Sequence, residues 1–244
     1  MEEQERSDPP DAARALVKEK VPTARGAILA GSVVTGGATD ASDLDIVVIA
    51  DDPDAPYRRS IRFEGWPAEF FVHTEETIHG FWERKDERFR PALALMCARG
   101  VIVLDTDRSA ARIQAEAQKV LAAGPPALDG SDRDRIRYGL TDSLDDFLGD
   151  PGTSELPFIV ASLTKDLCEV AMENRGAFRG SGKWMLRMAN EADPDFATEL
   201  SAALDAVGDG NRERLAALAR AELDAAGGPL FEGYWADGRP LLDD

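Results

Sequence analysis

The segment from Asp43 to Ile49, with the sequence DLDIVVI, constrains the fold of this chain more than any other. Its aliphatic and β-branched residues predict a buried strand, in which residues two apart point to the same side. Asp43 and Asp45 should therefore present two carboxylates side by side, while Leu44 and Ile46 point into a core. Adjacent like charges are unfavourable unless a cation lies between them, and carboxylate oxygens suit Mg²⁺. The pattern predicts a metal site on a strand.

A glycine-serine pair, Gly31-Ser32, precedes this strand and follows the apolar run 26–30, which predicts a first strand. A turn that contains glycine lets backbone N–H groups approach an anion closely, and a serine hydroxyl can donate to a phosphate oxygen. A phosphate-binding turn next to a pair of carboxylates indicates nucleotide chemistry.

Gly31-Ser32, a spacer and then Asp43-Leu44-Asp45 resemble the signature of the polymerase β-type nucleotidyltransferase superfamily. The resemblance implies that Gly31 and Ser32, with Ser42 beside them, bind the triphosphate and that Asp43 and Asp45 hold Mg²⁺. It also implies a third carboxylate on a later strand.

Glu69, in the segment WPAEFFVH, is the residue that meets this expectation. It lies in an otherwise apolar run, where a carboxylate is costly to bury unless a metal or a donor pairs with it. The alternative is a surface glutamate on an edge strand. The catalytic and metal-binding residues predicted on this basis are Asp43, Asp45 and Glu69.

The order of elements from Arg62 to the helix that opens at Thr74 is similar to that of kanamycin-type aminoglycoside nucleotidyltransferases. This resemblance implies transfer of a nucleoside monophosphate, most often AMP, from ATP or another NTP to a hydroxyl group of a small acceptor. Two Mg²⁺ ions would assist and pyrophosphate would be released. It is also compatible with a homodimer, because related antibiotic enzymes often build the cleft between subunits.

Strand and helix patterns alternate at the start of the chain, whereas every long element from Ser109 onwards is helical in pattern. We expect helices at 75–84 and 87–98 and a break at Gly124-Pro125-Pro126. The predicted fold class is α+β, with an N-terminal mixed-sheet nucleotidyltransferase domain (1–124) and a C-terminal helical bundle domain (125–244). Residues 227–244 should form a tail that Tyr234 and Trp235 pin to the body.

The formal net charge of −18 argues against a long nucleic acid as substrate, because phosphate backbones are bound by an excess of Lys and Arg. Two interpretations of the acidity stay open: a self-repelling soluble surface, or an acidic cleft that attracts a polycation such as an aminoglycoside. Cys97 and Cys168 lie in apolar helical patterns and are predicted to be buried free thiols in a reducing cytoplasm. No apolar run approaches the 18 residues of a membrane span, so we expect no membrane association and a cytoplasmic protein.

Two features of the helical part are candidates for chemistry. Related enzymes use a carboxylate to deprotonate the acceptor hydroxyl, and this chain offers four alternatives, Asp142, Asp145, Asp146 and Glu169. An acidic face exposed to solvent is the simpler interpretation of the three aspartates. Lys183 enters a helix from a glycine-rich loop and is predicted to bind the triphosphate, the alternative being a surface lysine beside a packed Trp184.

Two other functions compete with small-molecule transfer. The first is an antitoxin-like or regulatory nucleotidyltransferase that modifies a partner protein, and the second is a nucleotide-binding module without activity. The absence of histidine after His79 disfavours the ribonuclease chemistry of helical toxins found in such systems.

Overall fold

A computed structural model describes residues 6–149 and 154–236 of the chain. The chain divides into two units, Met1–Gly124 and Pro125–Asp244. The predicted α+β class is confirmed, because a mixed five-stranded sheet in the first unit is followed by helices in the second. Among the described residues, no helix combines the length and the apolar composition that a membrane span requires.

The first unit alternates helices and strands. Its elements are α1 (Pro9–Lys20), β1 (Ala24–Ala30), α2 (Ser32–Thr35), β2 (Leu44–Ala50), β3 (Tyr57–Phe63), β4 (Trp66–His73), α3 (Glu75–Trp82), α4 (Lys85–Phe89), α5 (Ala92–Arg99), β5 (Val101–Asp105) and α6 (Ser109–Ala123). The strands lie in the order β3-β4-β2-β1-β5. β2 and β4 run parallel, and the other neighbouring strands are antiparallel.

Both faces of the central strand β2 are buried. Leu44 and Ile46 point to the face covered by α1, as the alternating pattern predicts, and Val47 and Ile49 point to the face covered by α3, α5 and α6. Because β2 is covered on both sides, its sequence is almost continuously apolar from Ile46 onwards. Asp45 is the polar exception within this strand.

The prediction of one helix at 87–98 is wrong, because this segment forms two helices, α4 and α5. Pro91 separates α4 from α5, since proline has no N–H to continue the helical hydrogen bonds. The Glu87 carboxylate accepts a hydrogen bond from the backbone N–H of Leu93 at 3.1 Å and so caps the start of α5. Burial raises the pKa of Glu87 to about 7.

We expect this raised pKa to make stability depend on pH. The pKa of Glu87 is higher in the folded chain than its ordinary value of 4.5, so protonation stabilises the folded state fully below pH 4.5, and this contribution is lost as the pH rises through 7. Glu87→Gln keeps an acceptor for Leu93 without the charge. The free energy of unfolding, measured by urea unfolding, is compared between Glu87→Gln and wild type at pH 5 and at pH 8. The difference, variant minus wild type, should be roughly 2 kcal/mol larger at pH 8, because only the wild type loses stability over this range. An equal difference at both pH values, as expected for the exposed control Glu83→Gln, would contradict this.

Strands β3 and β4 form a hairpin with a two-residue loop, Glu64-Gly65. Both loop residues have positive φ, 47° and 79°, as in a type I′ turn. The loop pairs Phe63 with Trp66 and thereby fixes the register of the whole hairpin, including the pair Ser60 and Glu69.

The regular elements in the described part of the second unit are all helices. Its elements are α7 (Gly130–Leu148), α8 (Leu156–Asn174), α9 (Lys183–Ala192), α10 (Pro194–Gly208) and α11 (Glu213–Ala225). Arg175 at the end of α8 joins three of these helices through ion pairs with Glu222 and Asp193.

The chain after α11 returns to α7. Tyr234 stacks on Tyr138 with ring centroids 4.1 Å apart, and the N–H of Leu230 donates to the hydroxyl of Thr141. The tail is therefore held by Tyr234, whereas Trp235 is exposed, contrary to its predicted role. Residues 237–244 of the predicted tail lie outside the described residues.

Both cysteines are buried free thiols, as predicted. Burial raises the pKa of Cys97 to about 12 and that of Cys168 to about 11.

Candidate metal and nucleotide site

Strand pairing places two of the predicted carboxylates side by side. Asp45 on β2 is paired with Ala30, the last residue of β1, and on its other side with Glu69 of β4. The β1–β2–β4 order therefore brings the end of the first strand and both carboxylates to one row of the sheet. This arrangement explains why a polar residue is tolerated in each of two largely buried strands.

Asp43 completes a group of three carboxylates. It lies just before β2 rather than within it, because the strand begins at Leu44, but it still reaches the other two. One carboxylate oxygen from each of Asp43, Asp45 and Glu69 lies within 4.8 Å of the others, and all three residues are half-buried.

These three residues fit a divalent cation. Oxygens on opposite sides of Mg²⁺ are about 4.2 Å apart, so a small rotation of the side chains would bring the three oxygens onto one ion. Three hard anionic donors with no histidine or cysteine favour Mg²⁺ or Mn²⁺ over zinc.

Gly31 is in direct contact with this group. Its φ of 82° and ψ of −164° lie in a region that is essentially restricted to glycine. A Cβ at this position would lie 2.5 Å from the Asp45 carboxylate oxygen. The turn and the carboxylate therefore occupy adjacent space, and only glycine fits between them.

Ser32 begins the one-turn helix α2, which the sequence did not predict. The hydroxyl of Ser32 lies 2.8 Å from that of Ser42, which also accepts from the N–H of Thr39 at 2.8 Å. Ser42 is buried, and these bonds tie the loop before Asp43 to the Gly31-Ser32 turn.

Two residues that contact the group were not predicted from sequence. The Arg58 guanidinium donates to one oxygen of Glu69, and the Ser60 hydroxyl donates to the other at 3.1 Å. Both come from β3, next to β4 in the sheet. The available signal was the two-residue loop Glu64-Gly65, which sets Ser60 opposite Glu69.

The candidates in the helical unit have different surroundings. Asp142, Asp145 and Asp146 are exposed on α7. Glu169 on α8 forms an ion pair with the buried Arg179. Lys183 is exposed at the first position of α9.

A Gly-Ser turn next to three converging carboxylates, on one mixed sheet, is typical of proteins that bind a divalent cation and a phosphate group together. Comparison with protein families agrees with a phosphate- and cation-binding protein of this kind, since residues 11–93 match the model of a nucleotidyltransferase domain. The match includes Gly31, Ser32, Ser42 and all three carboxylates, and it supports nucleotidyl transfer as the general chemistry.

Comparison with solved structures gives a nucleotidyltransferase-like protein from Exiguobacterium sibiricum 255-15. The two chains are 15% identical with a TM-score of 0.44, and the alignment covers 89% of this chain and 73% of that one. Comparison with curated proteins found no match.

Proposed function

We propose that this protein is a Mg²⁺-dependent nucleotidyltransferase that transfers a nucleoside monophosphate, AMP in the first instance, from an NTP to a hydroxyl group of a small acceptor. The observation that carries the proposal is the convergence of Asp43, Asp45 and Glu69 within 4.8 Å, with Gly31 against Asp45. The family match over residues 11–93 supports the same chemistry.

Each residue of the site has a distinct role in this proposal. Asp43, Asp45 and Glu69 would together hold the divalent cations that the reaction needs. Bound divalent cations neutralise phosphate charge and activate the attacking and leaving oxygens. Gly31 and Ser32 orient the β and γ phosphates so that the α phosphate faces the acceptor hydroxyl, and Ser42 fixes the hydroxyl of Ser32 through their hydrogen bond.

We infer a polyhydroxylated cation, such as an aminoglycoside, as the acceptor class. The net charge of −18 supports this inference, because an acidic protein attracts polycations and repels nucleic acids. The same negative charge would also lower the affinity of the protein for free NTP, which is an anion. A cation that neutralises the charge of the carboxylates is therefore more important for binding the NTP.

The test is transfer of label from α-³²P-labelled ATP, GTP, CTP and UTP in the presence of Mg²⁺. Acceptors would be a panel of aminoglycosides, and one reaction would contain the protein alone. Pyrophosphate release would be followed in parallel, with Asp45→Asn as the inactive control.

The outcomes separate the candidate functions. Label on an antibiotic together with pyrophosphate release would establish drug nucleotidylation and identify the nucleotide. Label on a polypeptide would instead establish a protein-modifying enzyme. Stabilisation by Mg²⁺–NTP, without pyrophosphate release from the NTP in the presence of any acceptor, would indicate a nucleotide-binding module and contradict the proposal.

We also propose that Lys183 contacts the triphosphate. If so, Lys183→Gln should raise the KM for NTP about tenfold and change kcat less, because a contact made equally in the ground and transition states affects binding alone. Steady-state kinetics at saturating acceptor would measure both. The matched control is Lys165→Gln, which removes another exposed lysine of the same unit. An unchanged KM in Lys183→Gln would leave Lys183 as a surface residue.

A further inference from the structure

We propose that Arg58 competes with a divalent cation for Glu69, so that the guanidinium must leave this carboxylate before a cation can bind there. The inference rests on the proposed function, since it concerns the same group of carboxylates. It assigns Arg58 as a positioning residue that sets the metal affinity of the site.

The register of the β3–β4 hairpin places Arg58 on the same side of the sheet as the carboxylates. Ser60 is directly opposite Glu69, and Arg58 and Arg62 flank Ser60 on the same face of β3. Of these two arginines, Arg58 is the one whose guanidinium donates to Glu69.

The two donors to Glu69 differ in charge. Ser60 is neutral, so its hydrogen bond at 3.1 Å orients the carboxylate and leaves its charge available to a cation. Arg58 donates a charge-assisted hydrogen bond to the other oxygen. It therefore offsets part of the repulsion among the three carboxylates, which is also what a divalent cation would do. The Arg58 guanidinium and a divalent cation cannot both be balanced by the single negative charge of Glu69.

Exposure indicates which partner would move. The Arg58 side chain is 61% exposed and the Glu69 side chain 22%. Arg58 can therefore turn towards solvent at little desolvation cost, whereas Glu69 is fixed by its strand and by Ser60. The guanidinium also lies 5.0 Å from the centre of the Phe71 ring, a cation–π contact that can hold Arg58 beside the site.

The test is Mn²⁺ binding without nucleotide, followed by the electron paramagnetic resonance signal of free Mn²⁺. Arg58→Gln should bind Mn²⁺ about fivefold more tightly, because an ion pair of this exposure contributes a factor of this order. Arg62→Gln is the matched control: it removes the same charge from the same face of β3 four residues away, and its affinity should stay within about twofold of wild type. Circular dichroism would verify that both variants are folded.

A double-mutant cycle makes the test specific for Glu69. In a Glu69→Gln background, Arg58→Gln should give no further gain in Mn²⁺ affinity, since the carboxylate for which Arg58 and Mn²⁺ compete is gone. Equal affinities of Arg58→Gln and Arg62→Gln, or weaker binding by Arg58→Gln, would overturn the inference. Failure of the proposed function has a different signature, namely equal Mn²⁺ binding by wild type and Asp45→Asn.

Discussion

Asp45→Asn is expected to lower the rate of nucleotidyl transfer at least about 10³-fold while the chain stays folded. Asp45 is the central residue of the row, paired with Ala30 on one side and Glu69 on the other. The amide of asparagine has the same shape, but it lacks the charge that balances a divalent cation. Loss of about 4 kcal/mol of transition-state stabilisation corresponds to this factor. Initial rates of label transfer and the midpoint of thermal unfolding would be measured together.

The control for Asp45→Asn is Asp54→Asn, which changes the same atoms on an exposed residue of the turn after β2. Its rate should be within about twofold of wild type. We also expect Asp45→Asn to remain folded in the absence of metal, because asparagine has the same shape as aspartate. Activity above one tenth of wild type in Asp45→Asn would contradict the assignment of the carboxylate group as the catalytic site.

Gly31→Ala is expected to lower kcat/KM for the NTP about 100-fold and to cost only about 1–3 kcal/mol of stability. The stability cost arises because alanine disfavours the φ of 82° that Gly31 adopts. The added Cβ would lie 2.5 Å from the Asp45 carboxylate oxygen, so that carboxylate must move. Since the moving group ends a side chain, the fold can absorb the change, but the displaced carboxylate no longer holds its ligand.

Gly37→Ala is a matched control in the same connection between β1 and β2. A Cβ at Gly37 would meet no atom within 4 Å, and its φ is not in the left-handed region. It should leave both kcat/KM and stability nearly unchanged. Equal effects of Gly31→Ala and Gly37→Ala would mean that general rigidity of the connection, rather than the contact with Asp45, determines activity.

Sequence patterns were sufficient for the fold class because the two periodicities are clear in this chain. The spacing of Asp43 and Asp45 identified Leu44 and Ile46 as core residues, and the helical spacing after Ser109 separated a helical part from a mixed sheet. The break at Pro91 was missed because the apolar spacing on either side of it is compatible with one helix. In that case the missing N–H of proline outweighed periodicity.

Asp45 and Glu69 could be found from sequence because each is an anomaly in an apolar strand, and Asp43 could be found from its two-residue spacing from Asp45. Their convergence could not, since it depends on the parallel pairing of β2 with β4, which skips over β3. Arg58 was missed for a related reason. It looks like an ordinary exposed residue on an edge strand, and only the register set by Glu64-Gly65 places it next to Glu69.

The strand order also has a consequence for how the site is assembled during folding. β1 with β2, and β3 with β4, are pairs of consecutive strands, connected by residues 31–43 and by the two-residue loop Glu64-Gly65. The first pair carries Asp45 and the turn at Gly31, and the second carries Glu69 with Arg58. The β2–β4 pairing joins these two halves. A cation held by Asp45 and Glu69 would bridge this junction and stabilise the chain against the opening of the sheet at its middle.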